Sequence, residues 1–332
     1  MHGYPLLRKD PLLKGRPSLN QRTPVTVCIA AICNNNSIWG ASDRMLTSGD
    51  GEVEFEPTFP KSINLTNSIV AMMAGDSAIQ AEVLQDVMKL VHDALGDNPT
   101  YWFKVKDAAQ LWADVYTRIR LKRAETAILA ALGLTQASFL TTQKTMDSQL
   151  VAQLSAELVN FHLSEFDTII TGIDERPHIY AVDNTSLHCF DTVGFAAIGS
   201  GARHARSQFM LARHGRASDI EETLLLTYSS KKFSEVAPGV GKATDLFGIG
   251  PGPGSCFSVN DEVLNELDKM HCRRVKREQV AMKKAIKEIH EYTKKLNSEA
   301  ANKIPETQQA KEIAGGAPPA DGTSVPVDPK KN

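Results

Sequence analysis

The sequence lacks any apolar run near the ~18 residues that a membrane-spanning helix needs, so no membrane segment is expected. It lacks net charge as well: 37 Lys and Arg against 39 Asp and Glu leave −2 with histidine neutral. A balance that close to zero excludes a general polyanion binder and leaves room only for a local basic patch. Cysteine is scarce and odd in number, at five, and Cys28, Cys33, Cys189, Cys256 and Cys272 show neither C-x-x-C nor zinc-ligand spacing. That excludes a disulfide scaffold and gives reduced thiols and a cytoplasmic setting as the expectation. The opening residues are polar and basic (Arg8, Lys9, Lys14, Arg16, Arg22), with no apolar core of a secretory signal. The histidines, including His178, His188 and His204, have no ligand spacing, so neither a metal nor another cofactor is expected.

What is present suffices for a sizeable core. Of 332 residues 42% are apolar, enough for about two domains or one domain with additions. Residues 1–22 read as an irregular leader. Apolar β-branched runs at Val25–Cys33 and Ser37–Ser42 flank Asn34-Asn35-Asn36, a hairpin signal. Met45–Pro60 reads as a loop, and 62–65 with 68–73 as a second hairpin. At Ala74-Gly75-Asp76-Ser77 the period changes from 2 to 3.6, which predicts a helix through Leu95 capped by Asp76 or Ser77. A second helix is predicted over 106–132, and 136–163 as a helical insertion. Strands return at 168–173, 178–182 and 194–198, helices at 202–213 and 218–231, and a last strand at 245–250. Runs of strands alternating with runs of helices argue for antiparallel sheets rather than βαβ units. A long polar helix closes the pattern over about 261–296, within an added segment 259–297 that follows a main domain at 23–258. Residues 298–332 are rich in Pro, Gly, Ala and Lys and are expected to be disordered.

Chemistry could reside at the ends of the first strands. Thr26 opens one strand, Asp43 ends its partner, and Lys61 precedes the next. A threonine hydroxyl needs an adjacent base to act as a nucleophile. A free α-amine at Thr26 would supply one, with a reference pKa of about 7.7–8. A neighbouring lysine would favour the neutral amine, and an aspartate would hold that lysine in place. The helix start at Gly75-Asp76 offers amide N–H groups suited to an oxyanion. Each signal alone is ordinary: threonine is a common β-former and an Asp–Lys pair a common surface ion pair. Thr23 is another hydroxyl residue nearby, but Pro24 follows it and it stands before the strand.

In series they resemble the proteasome β-subunit family of N-terminal-nucleophile hydrolases. The resemblance runs through Thr26-Val27-Cys28-Ile29-Ala30, Ala41-Ser42-Asp43-Arg44-Met45-Leu46-Thr47-Ser48-Gly49, Pro60-Lys61-Ser62-Ile63 and Met72-Met73-Ala74-Gly75-Asp76-Ser77-Ala78. It continues at Thr171–Tyr180, Ala197–Gly201 and Gly239–Leu246, covering about residues 23–250 apart from the insertion. It implies a four-layer αββα sandwich, Thr26 as nucleophile, Asp43 and Lys61 as its charge partners, and Gly75 as oxyanion donor. It further implies Ser200 near the threonine amine and Thr47 as a backbone position that pairs with an extended substrate. The implied activity is threonine-type peptide hydrolysis in a self-compartmentalising homo-oligomeric ring, with an ATPase unfoldase as the kind of partner such rings take. Three departures stand against it. Val25 occupies the place of the glycine usual in self-processing members. Arg44 follows Asp43 directly, where Ser then Arg is usual. The late Asp-x-x-Ser-Gly-Gly stretch is approximated only by Glu235–Gly241.

Two other readings therefore accompany the peptidase: a catalytically silent ring subunit of proteasome-like build, and an N-terminal-nucleophile amidase acting on a small molecule. The helix over 261–296 holds ten Lys and Arg against three Glu between Lys269 and Lys295, with a narrow stripe of Val275, Met282, Ile286, Ile289 and Leu296. It reads as a solvated helix or as a contact for an acidic partner or neighbouring subunit. No nucleic-acid motif or aromatic interleaving accompanies it, so nucleic acid is not expected.

Overall fold

The computed structural model describes residues 26–48, 53–57, 60–96, 103–163, 166–183 and 186–301; the leader at 1–22 and residues 302–332 of the expected tail lie outside them. The chain is mixed α+β, with two antiparallel sheets and helices. In chain order come β1 (Cys28–Cys33), β2 (Ser37–Asp43), β3 (Leu46–Ser48), β4 (Val53–Phe55), β5 (Ser62–Thr66), β6 (Ile69–Gly75), α1 (Ser77–Leu95) and α2 (Val105–Ala124). Then follow α3 (Gln136–Thr142), α4 (Ser148–Val159), β7 (Phe166–Ile173), β8 (Pro177–Val182), β9 (Leu187–Cys189), β10 (Phe195–Ile198), α5 (Ala202–Leu211) and α6 (Ile220–Ser234). The series ends with β11 (Thr244–Ile249), β12 (Cys256–Ser258) and α7 (Asp261–Ala301). One sheet has the order β10-β1-β2-β11-β12 and the other β5-β6-β7-β8-β9.

The apolar runs read as continuous because both faces of the central strands are covered. In β1, Cys28, Ala30 and Ile32 enter a core shared with Val70, Met72 and Ala74 of β6. Val27, Ile29 and Ala31 point the other way, into a core with Ala202, Ala205, Phe209 and Leu226 from α5 and α6. In β6 the alternate residues Ile69, Ala71 and Met73 join Ile79, Val83, Val87 and Val91 of α1 and Trp112, Val115, Tyr116 and Ile119 of α2. The period of 2 in the strands and of 3.6 in the helices therefore meets in three cores. Asp76 caps α1, its carboxylate accepting from Ala78 N at 2.8 Å. The β1–β2 hairpin turns on Asn34 and Asn35, at φ 47° and 56°, a region asparagine tolerates.

The structure corrects the sequence reading at short or polar elements. Met45–Pro60 is not all loop: β3 and β4 pair in a separate two-stranded ribbon, with Thr47 opposite Glu54. β9 and β12, three residues each, carry too short an alternation to register in sequence. α2 gives way to a π turn at Glu125–Leu129 and a 3₁₀ turn at Ala130–Leu132. α6 runs to Ser234 rather than 231, and α7 to Ala301, into the expected tail. The chain divides between Asp268 and Lys269, inside α7, into two units. Among the described residues, no helix is long and apolar enough to cross a membrane.

Candidate active site

The hairpin register sets the site. Cys28 pairs with Ser42, so Thr26, just before β1, and Asp43, the last residue of β2, stand at the same end of the sheet. Lys61 precedes β5, whose Ser62 pairs with Met72, so its side chain extends from beside Met73 toward that end. The three side chains meet: Thr26 Oγ1 donates to Asp43 Oδ1, and Lys61 Nζ donates to Thr26 Oγ1. Lys61 Nζ also lies 3.1 and 3.2 Å from the two Asp43 oxygens. Thr26, Asp43 and Lys61 are all buried, at 1%, 0% and 8% exposure. A buried Asp–Lys pair with its lone pairs filled is costly to assemble and points to a purpose beyond stability.

Asp43 is saturated. Beyond Thr26 and Lys61 it accepts from Val27 N (2.9 Å), Met45 N (3.0 Å) and Gly241 N (2.9 Å). Ser200 approaches Thr26 from the turn after β10. Thr26 N donates to Ser200 Oγ at 3.3 Å, and that hydroxyl lies 3.0 Å from Pro238 O. The turn requires glycine: Gly199 has φ +87°, and a Cβ there would meet Thr26 O at 2.4 Å. Gly201 N closes the wrap, donating to Thr26 O at 3.1 Å.

Of the residues expected from sequence, the structure thus brings Thr26, Asp43, Lys61 and Ser200 together. Gly75 ends β6 at φ +116°, two residues beyond Met73 and next to the cap of α1. Thr47 stands in the β3–β4 ribbon, paired with Glu54. Arg44 turns from Thr26 and donates to Asp245 Oδ1 through Nε (2.9 Å) and Nη2 (2.6 Å). It borders a cavity of about 510 Å³ lined also by Ser62, Asn64, Asp245, Phe247 and Asp261. Cys28 is no rival nucleophile: burial pushes its thiol up to about 12, and Sγ faces Met73 O at 3.6 Å. The described residues contain no cluster of three or more His, Cys, Asp or Glu able to hold a metal, and no disulfide joins the cysteines.

One supporting residue escaped the sequence reading. Lys231 of α6 is fully buried, its ammonium bonded to Gly241 O (2.9 Å), Lys242 O (2.9 Å) and Glu235 (2.8 Å). Gly241 in turn donates to Asp43, so Lys231 holds the turn that holds Asp43. Burial pushes the Lys231 ammonium below the ordinary lysine range, against the pull of Glu235 and Asp43. Its only sequence signal is phase: Thr223, Thr227, Ser230, Lys231 and Ser234 share one face of α6, and all are buried. Small polar residues there bring the helix close to β1 and β2, and the lysine is carried in with them. No protein-family model matches the chain, and no curated protein matches it.

Proposed function

We propose that the chain is a proteasome-like N-terminal-nucleophile hydrolase, a four-layer αββα sandwich that cleaves peptide bonds within a cytoplasmic homo-oligomeric ring. The observation that carries this reading is the buried meeting of Thr26 Oγ1, Asp43 and Lys61, with Ser200 at Thr26 N. Cutting the Val25–Thr26 bond converts that nitrogen into a primary amine already facing a hydroxyl. The amine then takes the Oγ1 proton as Oγ1 attacks the scissile carbonyl. Lys61 favours the negative charge gathering on Oγ1, Asp43 fixes Lys61, and the Gly75 amide faces the carbonyl oxygen. Collapse breaks the C–N bond, the leaving amine takes the proton, and an acyl ester remains on Thr26. Water, deprotonated by the same amine, hydrolyses that ester. The β3 backbone around Thr47 supplies an edge along which an extended peptide pairs.

A second reading, the silent ring subunit, is favoured by two facts: Val25 precedes Thr26, and Thr26 is only 1% exposed. Peptide hydrolysis by wild type and by Thr26→Ala, with sedimentation of both, separates the two. The peptidase reading expects a loss on the order of 10³-fold or more with assembly unchanged. Assembled wild-type protein with its Val25–Thr26 bond intact and no hydrolysis would establish the silent subunit instead.

A further inference from the structure

We infer that residues 272–299 of α7 pair with the same segment of a second copy of this chain, as a parallel two-stranded coiled coil. The segment holds four heptads, and Val275, Met282, Ile289 and Leu296 recur at intervals of seven. With these as the d positions, the a positions are Cys272, Gln279, Ile286 and Thr293. The helix spans this segment unbroken, roughly 42 Å at 1.5 Å per residue. Met282, Ile286, Ile289 and Leu296 are 45–64% exposed and Val275 is half-buried, so the seam lies open to a partner from Met282 onward.

The helix gains little from its own surface charges. Arg273 with Arg277 and Lys283 with Lys287 are like-charged at i,i+4. The attractive pairs Arg274–Glu278 (3.2 Å), Lys284–Glu288 (3.9 Å) and Lys295–Glu299 (3.9 Å) lie at the surface, where such pairs add little. A helix of this kind draws its stability from an apolar face packed on another.

Charge chooses the partner and its direction. The e positions are Lys276, Lys283, His290 and Asn297, and the g positions Glu278, Ala285, Tyr292 and Glu299. In a parallel pair of identical helices, g of one heptad faces e of the next, which sets Glu278 against Lys283 twice per dimer. An antiparallel pair sets e against e and g against g, which in full overlap brings Lys283 to Lys283 and leaves Glu278 opposite Tyr292. Polar Gln279 and Thr293 at a positions pin the register. The inference does not depend on chemistry at Thr26.

Cysteine cross-linking of the full chain tests it. In a Cys272→Ser background, Gln279→Cys places a thiol in the seam and Lys284→Cys one on the outer face. Mild oxidation should give a covalent dimer with Gln279→Cys in at least tenfold greater yield than with Lys284→Cys. Adding Ile286→Glu and Ile289→Glu should abolish it, with the core domain's thermal transition unchanged. Equal yields at the two positions, no dimer with Gln279→Cys, or a yield indifferent to the two glutamates would overturn the proposal.

Discussion

Asp43 accepts hydrogen bonds from two side chains and three backbone amides drawn from four separate segments. Its position is therefore set less by its own strand than by what surrounds it, and Lys231 is the far end of that support. Removing the Lys231 ammonium leaves Gly241 O and Lys242 O without their donor, while Glu235 keeps its pair with Lys232 at 2.7 Å. Lys231→Met should lower unfolding stability by about 2–3 kcal/mol, below the full cost of breaking a wholly buried pair because Glu235 is partly exposed. Denaturant midpoints of the two proteins measure this, and a loss under about 0.5 kcal/mol would show that the turn at Gly241 is held by other means. Thr26, Asp43 and Lys61 were legible because each sits at or beside a strand end that turn signals delimit, and Ser200 only through the family resemblance. The sequence hid Lys231 because a lysine on a helix with Lys232 beside it and Glu235 after it reads as solvated surface. Only the close approach of α6 to the sheet reverses that reading.

Elements are tied together away from Thr26 by a second charge cluster. His178 in β8 bonds Asp191 through Nδ1 (2.6 Å) and Asp174 through Nε2 (3.1 Å), and Asp174 accepts from Val105 N at the start of α2 (3.0 Å). The bond to Asp191 holds His178 above the ordinary imidazole value of 6.5, against the opposing effect of burial. The folded chain therefore binds this proton more tightly than the unfolded chain does. Its contribution to stability is whole below pH 6.5 and is lost as pH rises through the raised value. Both aspartates stay ionised there: burial alone would raise them, but for Asp174 the amides of Val105 and Glu175, and for Asp191 the His178 bond, bring them below the ordinary range. The stability gap between wild type and His178→Gln should accordingly narrow as pH rises above 6.5. A gap that stays constant or widens as pH rises above 6.5 contradicts the assignment. Long strands and the apolar helix α1 were readable from their periods. The three-residue strands were not, and α7 outran its apolar stripe because Ser298-Glu299-Ala300-Ala301 favours helix without needing to be buried.

For the whole molecule, the two antiparallel sheets bring residues 17, 35 and 174 positions from Thr26 into one cluster, so the site exists only in the completed fold. On the proposed reading it becomes active only when Thr26 is the first residue of the chain. The most direct measurement is a mass-spectrometric peptide map of purified wild-type protein after treatment with a peptide β-lactone, which acylates a nucleophilic hydroxyl. The account predicts that the amino-terminal peptide begins at Thr26 and carries the added acyl mass on that residue. A map in which the Val25–Thr26 bond is intact and Thr26 is unmodified would contradict it.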